Sequence, residues 1–211
     1  MHEQHKDWEA HWNLIYASKP SEAFSWYEPE LTVSVSLFQQ LHIPHTAKIL
    51  DVGGGDSTLV DSLLRAGYRD ITVLDISALA IQRAQLRLGE QAGRVKWIVA
   101  DVRNFEPDTS YDVWHDRATF HFLIAAQDIQ RYVHIACKAV KPDGRLILGC
   151  FADNGPQQCS GLPVHRYAEH SLASTFASCF TTPDCFRTDH ITPTGQVQHF
   201  LFCHFRRSMQ G

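Results

Sequence analysis

The sequence predicts an α/β protein with a doubly wound, mostly parallel sheet, and three observations carry that prediction. From residue 48 onward, short apolar runs alternate with helical patterns, as strands and crossover helices do. The first run closes on three consecutive glycines, Gly53, Gly54 and Gly55. Polar residues then cluster where the runs end: Asp51, Asp75, Asp101 and the pair His115-Asp116.

Residues 48–52 read as a buried strand stopped by the glycines, followed by a helix with Leu59, Val60, Leu63 and Leu64 on one face. Residues 71–75 form the second strand, after which Ser77 caps a helix carrying Ile81, Ala84 and Leu88 at helical spacing. Residues 95–99 and 111–114 form the third and fourth strands. A helix over 128–140 runs into a turn at 141–144, whose Pro and Gly suit that role, and 145–151 is the fifth strand. Beyond it the alternation stops. A loop precedes a short helix near 171–178, and two extended segments, 186–192 and 198–205, flank a turn at 192–195, giving seven strands with an antiparallel C-terminal hairpin. Ahead of the sheet, 8–17 and 31–41 read as helices. The chain is one domain: an N-terminal helical layer (1–45), a core (46–151) and a loop with the closing hairpin (152–211).

The composition narrows the partners. With 211 residues, 44% of them hydrophobic, the chain has enough material for its own core. A net charge of −4 and scattered basic residues leave no footprint for a nucleic acid. No apolar stretch resembles a secretory signal or approaches the roughly 18–20 residues that cross a bilayer. The six cysteines lie apart without a Cys-x-x-Cys pair, which predicts reduced thiols and a cytoplasmic protein. Nothing completes a shell around His42-x-x-His45, so no metal is expected. Oligomeric state leaves no trace in the sequence.

Open parallel sheets bind ligands beyond the carboxyl ends of their strands. Gly53 and Gly55 remove side chains where backbone turns tightly and approaches a ligand. Asp75 follows at a distance suited to accepting both hydroxyls of a ribose, and Asp101 is placed to accept from an exocyclic amine such as adenine's. Three acids in register with the loop point to an adenosine-containing ligand. Thr58 stands where the dinucleotide fingerprint requires a third glycine, and no nucleoside-triphosphate loop is present. Asp51 and Asp56, with no cation in the loop, suit a ligand bearing an ammonium or sulfonium group.

Residues 49–55, reading Ile-Leu-Asp-Val-Gly-Gly-Gly, resemble the first motif of class I S-adenosylmethionine-dependent methyltransferases. Val73-Leu74-Asp75-Ile76-Ser77, Ala100-Asp101-Val102 and Lys141-Pro142-Asp143-Gly144 resemble the later motifs in order and spacing. The resemblance covers about residues 48–150 and implies a Rossmann-like fold with S-adenosylmethionine as cofactor and S-adenosylhomocysteine as product. It further implies that Asp51, Gly53 and Gly55 lie by the methionine part. Asp75 and Ile76 would lie by the ribose, Asp101 and Val102 by adenine, and His115 near the sulfonium. Trp12-x-x-x-Tyr16 followed by Ser25-Trp26-Tyr27 resembles a subgroup with lysine-directed and small-molecule members, in which this segment covers the methionine end.

For the acceptor side, Asp116 and His121 are the candidate base or orienting groups, beside His115. The loop 156–167, with Cys159 and Arg166, is the candidate substrate cover. The expected reaction is methyl transfer to a small soluble nucleophile, such as a thiol or related soft atom. A protein lysine, a non-catalytic cofactor-binding module and a nicotinamide-dependent oxidoreductase are the alternatives.

Overall fold

The computed structural model describes residues 7–209, so the first six residues of the expected N-terminal layer lie outside the described residues. Strands β1 (Lys48–Val52), β2 (Asp70–Asp75), β3 (Val95–Val99), β4 (Tyr111–Arg117) and β5 (Val140–Phe151) pair in parallel. A small hairpin follows, β6 (Gln158–Cys159) with β7 (Leu162–Pro163), and then β8 (Asp184–Ile191) and β9 (Val197–Arg206). The seven-stranded sheet has the order β3-β2-β1-β4-β5-β9-β8. β9 is antiparallel to both of its neighbours, so it alone opposes the rest. The winding reverses between β1 and β4, which opens a crevice at their carboxyl ends.

Period-two alternation assigns the sheet's two faces. Ile49, Val73, Val113 and Ile147 pack toward helices α2 (Thr32–Gln40) and α3 (Leu59–Arg65). Leu50, Val52, Trp114, Leu146 and Leu148 pack toward α5 (Ala126–Ala139) and α6 (Glu169–Phe176). α1 (Trp8–Ser18) starts at Asp7, whose Oδ1 accepts from the Ala10 amide at 2.9 Å. Asn13 of α1 accepts from the Ser77 hydroxyl at 2.7 Å, and Ser77 caps α4 (Ala78–Leu88). That bond sets α1 across the strand ends, one turn from Asp75.

Three expectations are corrected. Cys137 is joined to Cys179 and Cys185 to Cys203, so four of the six thiols are not free. Folding brings together what sequence spacing separates: Cys185 and Cys203 are ladder partners on β8 and β9. The expectation of reduced thiols falls with them. The expected turn at 141–144 belongs to β5, because Gly144 and Asp143 bond to Arg207 near the chain's end while the β4 register shifts. The loop 156–167 contains the β6–β7 hairpin. Among the described residues no helix is long and apolar enough to cross a membrane.

Candidate functional site

The glycine loop is shaped by the protein's own side chains. Gly53 has a left-handed φ of 65°, and a Cβ there would lie 1.7 Å from Thr119 Oγ1. A Cβ at Gly54 would meet Asp51 Oδ2 at 2.4 Å, and one at Gly55 would meet Asp75 Oδ2 at 2.5 Å. The glycines thus admit three polar side chains to the strand ends, and through them shape the space above.

That space is a cavity with an empty volume of about 840 Å³, partly open to solvent. Its floor is Gly53, Asp75, Ile76, Asp101 and Val102, from the ends of β1, β2 and β3. Its roof is Trp8, Trp12 and Tyr16 of α1 with Trp26. Trp12 meets Trp26 edge-on at 6.1 Å and Phe122 at 5.0 Å, and Trp26 stacks on Phe24 at 4.5 Å, a rigid apolar cover. A neighbouring cavity of about 530 Å³ shares Gly53, Tyr16 and Trp26 and adds Asp51 and His115.

Eight of the expected cofactor residues therefore line the larger cavity, and Asp51 lies in the smaller one. Gly55 lines neither; it makes room for Asp75. His115 also departs from expectation. It is buried, its Nδ1 lies 2.7 Å from Asp51 Oδ1, and its Nε2 lies 2.9 Å from the Ser34 hydroxyl. With both nitrogens engaged, it orients Asp51 and takes no place in the larger cavity. Asp51 Oδ2, also buried, has no hydrogen-bond partner among the described residues.

The two candidate bases are corrected as well. Asp116 is fully buried and accepts from the amides of Thr119 (2.9 Å) and Phe120 (3.1 Å) and from the Tyr132 hydroxyl (2.6 Å). It fixes the turn after β4; burial pushes its carboxyl up to about 6, against these bonds. His121 is fully buried, and its Nδ1 accepts from the Phe151 amide at 3.3 Å. Burial, aided by the charge of Arg117, drives its ring down to about 3. Its one lone pair is spent on backbone, and it lines neither cavity.

The floor carries the unusual electrostatics. Burial pushes the Asp75 carboxyl up to about 7, and the nearby charge of Asp51 adds to this, although amides of Ser77, Gly55 and Ile76 donate to it. Asp101 accepts from Arg103 Nε at 2.9 Å, and Arg103 also reaches Asp128 at 3.3 Å. The Arg103 guanidinium lies 5.5 Å from the Trp8 ring, closing the Asp101 side of the floor with a cation.

Residues 49–144 match the model of a methyltransferase domain family. A Bos taurus protein named eEF1A lysine and N-terminal methyltransferase is 29% identical over 119 residues, 56% of this chain and 17% of its own length. The N-methyltransferase NodS of Bradyrhizobium japonicum, solved with S-adenosylhomocysteine, superposes with a TM-score of 0.69 at 15% identity, covering 92% of this chain and 95% of that one. Residues 49–144 thus form an S-adenosylmethionine-dependent methyltransferase domain. A further fold match comes from work on converting a disulfide bond into a thioacetal group in echinomycin biosynthesis. Its TM-score is 0.74 at 19% identity, over 96% of the methyltransferase and 94% of that chain.

Several lining residues of this methyltransferase were not foreseen. Arg117 lines the larger cavity because, along β4, it shares the face of His115, whereas Trp114 and Asp116 point the other way, and Thr119 lines it from the turn that follows the strand. Alternation from His115 gives that signal. Trp8, Arg103, Phe122 and Leu123 also line it. Glu28 and His190, which hold Arg117 and the segment around Trp26, left no sequence signal, because β8 and the N-terminal segment meet only in the fold.

Proposed function

We propose that this methyltransferase passes a methyl group from S-adenosylmethionine to a small, soft nucleophile, such as a thiolate, that arrives needing no deprotonation. One observation carries the reading: among the described residues, no histidine lines the larger cavity. Its acids are the floor residues Asp75 and Asp101, its cations are Arg103 and Arg117, and burial raises both Tyr16 and Cys159 away from ionisation. With Asp75 and Asp101 committed to the cofactor, a protonated amine would find no free base there; a thiol lies nearer its own pKa and needs less help.

The residues present fit the cofactor. Asp75 suits ribose hydroxyls, Asp101 and the Val102 amide suit adenine, and the orphaned Asp51 Oδ2 suits the ammonium of the methionine part. S-adenosylmethionine supplies a methyl group already activated on a sulfonium. The work left to the chain is alignment and dryness. Trp12, Tyr16, Trp26 and Phe122 exclude water, and the described part of the N-terminal layer, residues 7–45, acts as the cover, with Trp26 reaching over both cavities.

A protein lysine is the second reading, favoured by the bovine relative, of whose length the chain spans only a small part. Labelled S-adenosylmethionine incubated with the protein and a cell lysate separates the two. Label in small molecules, with thiols competing, supports the first reading; label retained on macromolecules and blocked by lysine peptides overturns it.

A further inference from the structure

One buried polar assembly has no part in the chemistry proposed so far. His190 of β8 is 6% exposed. Its Nε2 lies 2.7 Å from the carbonyl oxygen of Ser25, and its Nδ1 lies 3.0 Å from Oε1 of Glu28. A carbonyl and a carboxylate only accept, so the ring makes both bonds only with a proton on each nitrogen. Arg117, from the end of β4, donates to the same Glu28 oxygen and, at 3.1 Å, to the carbonyl of Trp26. Although burial alone would raise it, the bonds from His190 and Arg117 hold Glu28 below the usual carboxylate range. Two cations from separate strands thus converge on residues 25–28, whose Trp26 borders both cavities.

The surroundings of the ring are mixed in sign. Glu28 faces it as a carboxylate, and Arg117 shares that carboxylate as a second cation. Phe200 of β9 meets it edge-on at 6.2 Å, and its ladder partner Gln198 is neutral. The thiol of Cys159, on the β6 side, contacts the Ser25 side chain and is kept protonated by burial.

We propose that His190 is a positioning residue for the cofactor: as an imidazolium it clamps residues 25–28 and fixes Trp26 over the cavity. When the ring gives up a proton, one contact turns into two facing acceptors and the clamp opens. The idea rests on the cofactor reading above, but its first test does not. Hydrogen exchange of the amides of residues 22–28 is followed without ligand at about pH 6 and about pH 8, as protection factors corrected for intrinsic rates. Wild type is expected to lose roughly tenfold protection on going to the higher pH, as loss of a charge-assisted bond implies, while β1 keeps its own. Glu28→Gln is expected to abolish the pH dependence, since its amide can donate to a neutral ring. Equal wild-type protection at both pH values overturns the clamp, and this arm needs no variant to fold.

The second arm compares S-adenosylhomocysteine affinity in wild type and His190→Gln, taking the ratio at each pH so that titration elsewhere in the site cancels. An advantage of roughly tenfold for wild type at about pH 6, vanishing at about pH 8, supports the positioning role. A ratio near one throughout overturns it, even where exchange shows a clamp. Absence of binding by wild type at either pH defeats the cofactor reading, and exchange still decides the clamp.

Discussion

Asp75 offers the most direct test of the floor. Its carboxyl, pushed up to about 7 by burial, is largely protonated in the free protein on the acid side of neutrality. A ribose hydroxyl donates well to a carboxylate and poorly to a carboxylic acid, so ligand binding selects the ionised form. With a value near 7, about a tenth of the population is ionised at roughly pH 6 and about nine-tenths at roughly pH 8, which makes the affinity rise about tenfold. The sign holds for stability as well. The folded value lies above the unfolded one, so the stability tied to this proton is full below about 3.8 and lost as pH rises through about 7. The free protein is strained by the charge that its ligand uses. The assay is titration calorimetry with S-adenosylhomocysteine in the His190→Gln background, which removes the clamp's opposing titration. Asp75→Asn is the control, expected to bind at least about tenfold more weakly and without the pH dependence. A flat profile with Asp75 intact, or the same rise in Asp75→Asn, refutes the reasoning.

Three further outcomes are expected. His121→Gln keeps kcat of the folded enzyme within about threefold, because its lone pair is spent on Phe151; a loss near the hundredfold typical of a missing base contradicts this. Gly53→Ala destabilises the protein by about 3 kcal/mol, part from its left-handed φ and part from overpacking against Thr119. In a thermal-unfolding double-mutant cycle with Thr119→Gly, the overpacking part returns as a favourable coupling, and simple additivity counts against the close approach. Thiol titration in denaturant without reductant finds two free thiols, Cys150 and Cys159, and reduction costs about 2–4 kcal/mol for each pair broken. Six titratable thiols in the untreated protein would mean the pairs do not form.

What was legible followed from periodicity and strand-end chemistry. The mostly parallel seven-stranded sheet and its closing hairpin depend on short-range pattern, and the structure reproduces them; Gly53, Asp75, Asp101 and Val102, expected at the strand ends, line one cavity there. Errors arose where a residue's neighbourhood is decided by direction or by distant contacts. Asp116 and His121 lie close in sequence to the end of β4, yet pleating turns Asp116 to the Tyr132 face and the following turn buries His121 against Phe151. His115 is near the floor but is drawn to Asp51 by parallel register, in which the two are ladder partners. The cysteine pairs and the Glu28–His190 contact join segments that only the sheet's closure unites, and no local pattern encodes them.

Asp75 and His190 together give the site a preferred pH. The floor needs Asp75 ionised, which disfavours acid; the clamp needs His190 doubly protonated, which disfavours base. Their product is greatest where both conditions are partly met, so wild-type affinity for S-adenosylhomocysteine should follow a bell. The two limbs belong to residues on opposite sides of the cavity, one in its floor and one behind its roof, and single substitutions separate them. His190→Gln should leave only the rise, and Asp75→Asn only the fall. A thiol acceptor narrows the bell further on its acid side, because its reactive thiolate grows with pH. Turnover should then peak at a higher pH than binding, whereas an acceptor needing no ionisation would leave the two maxima together.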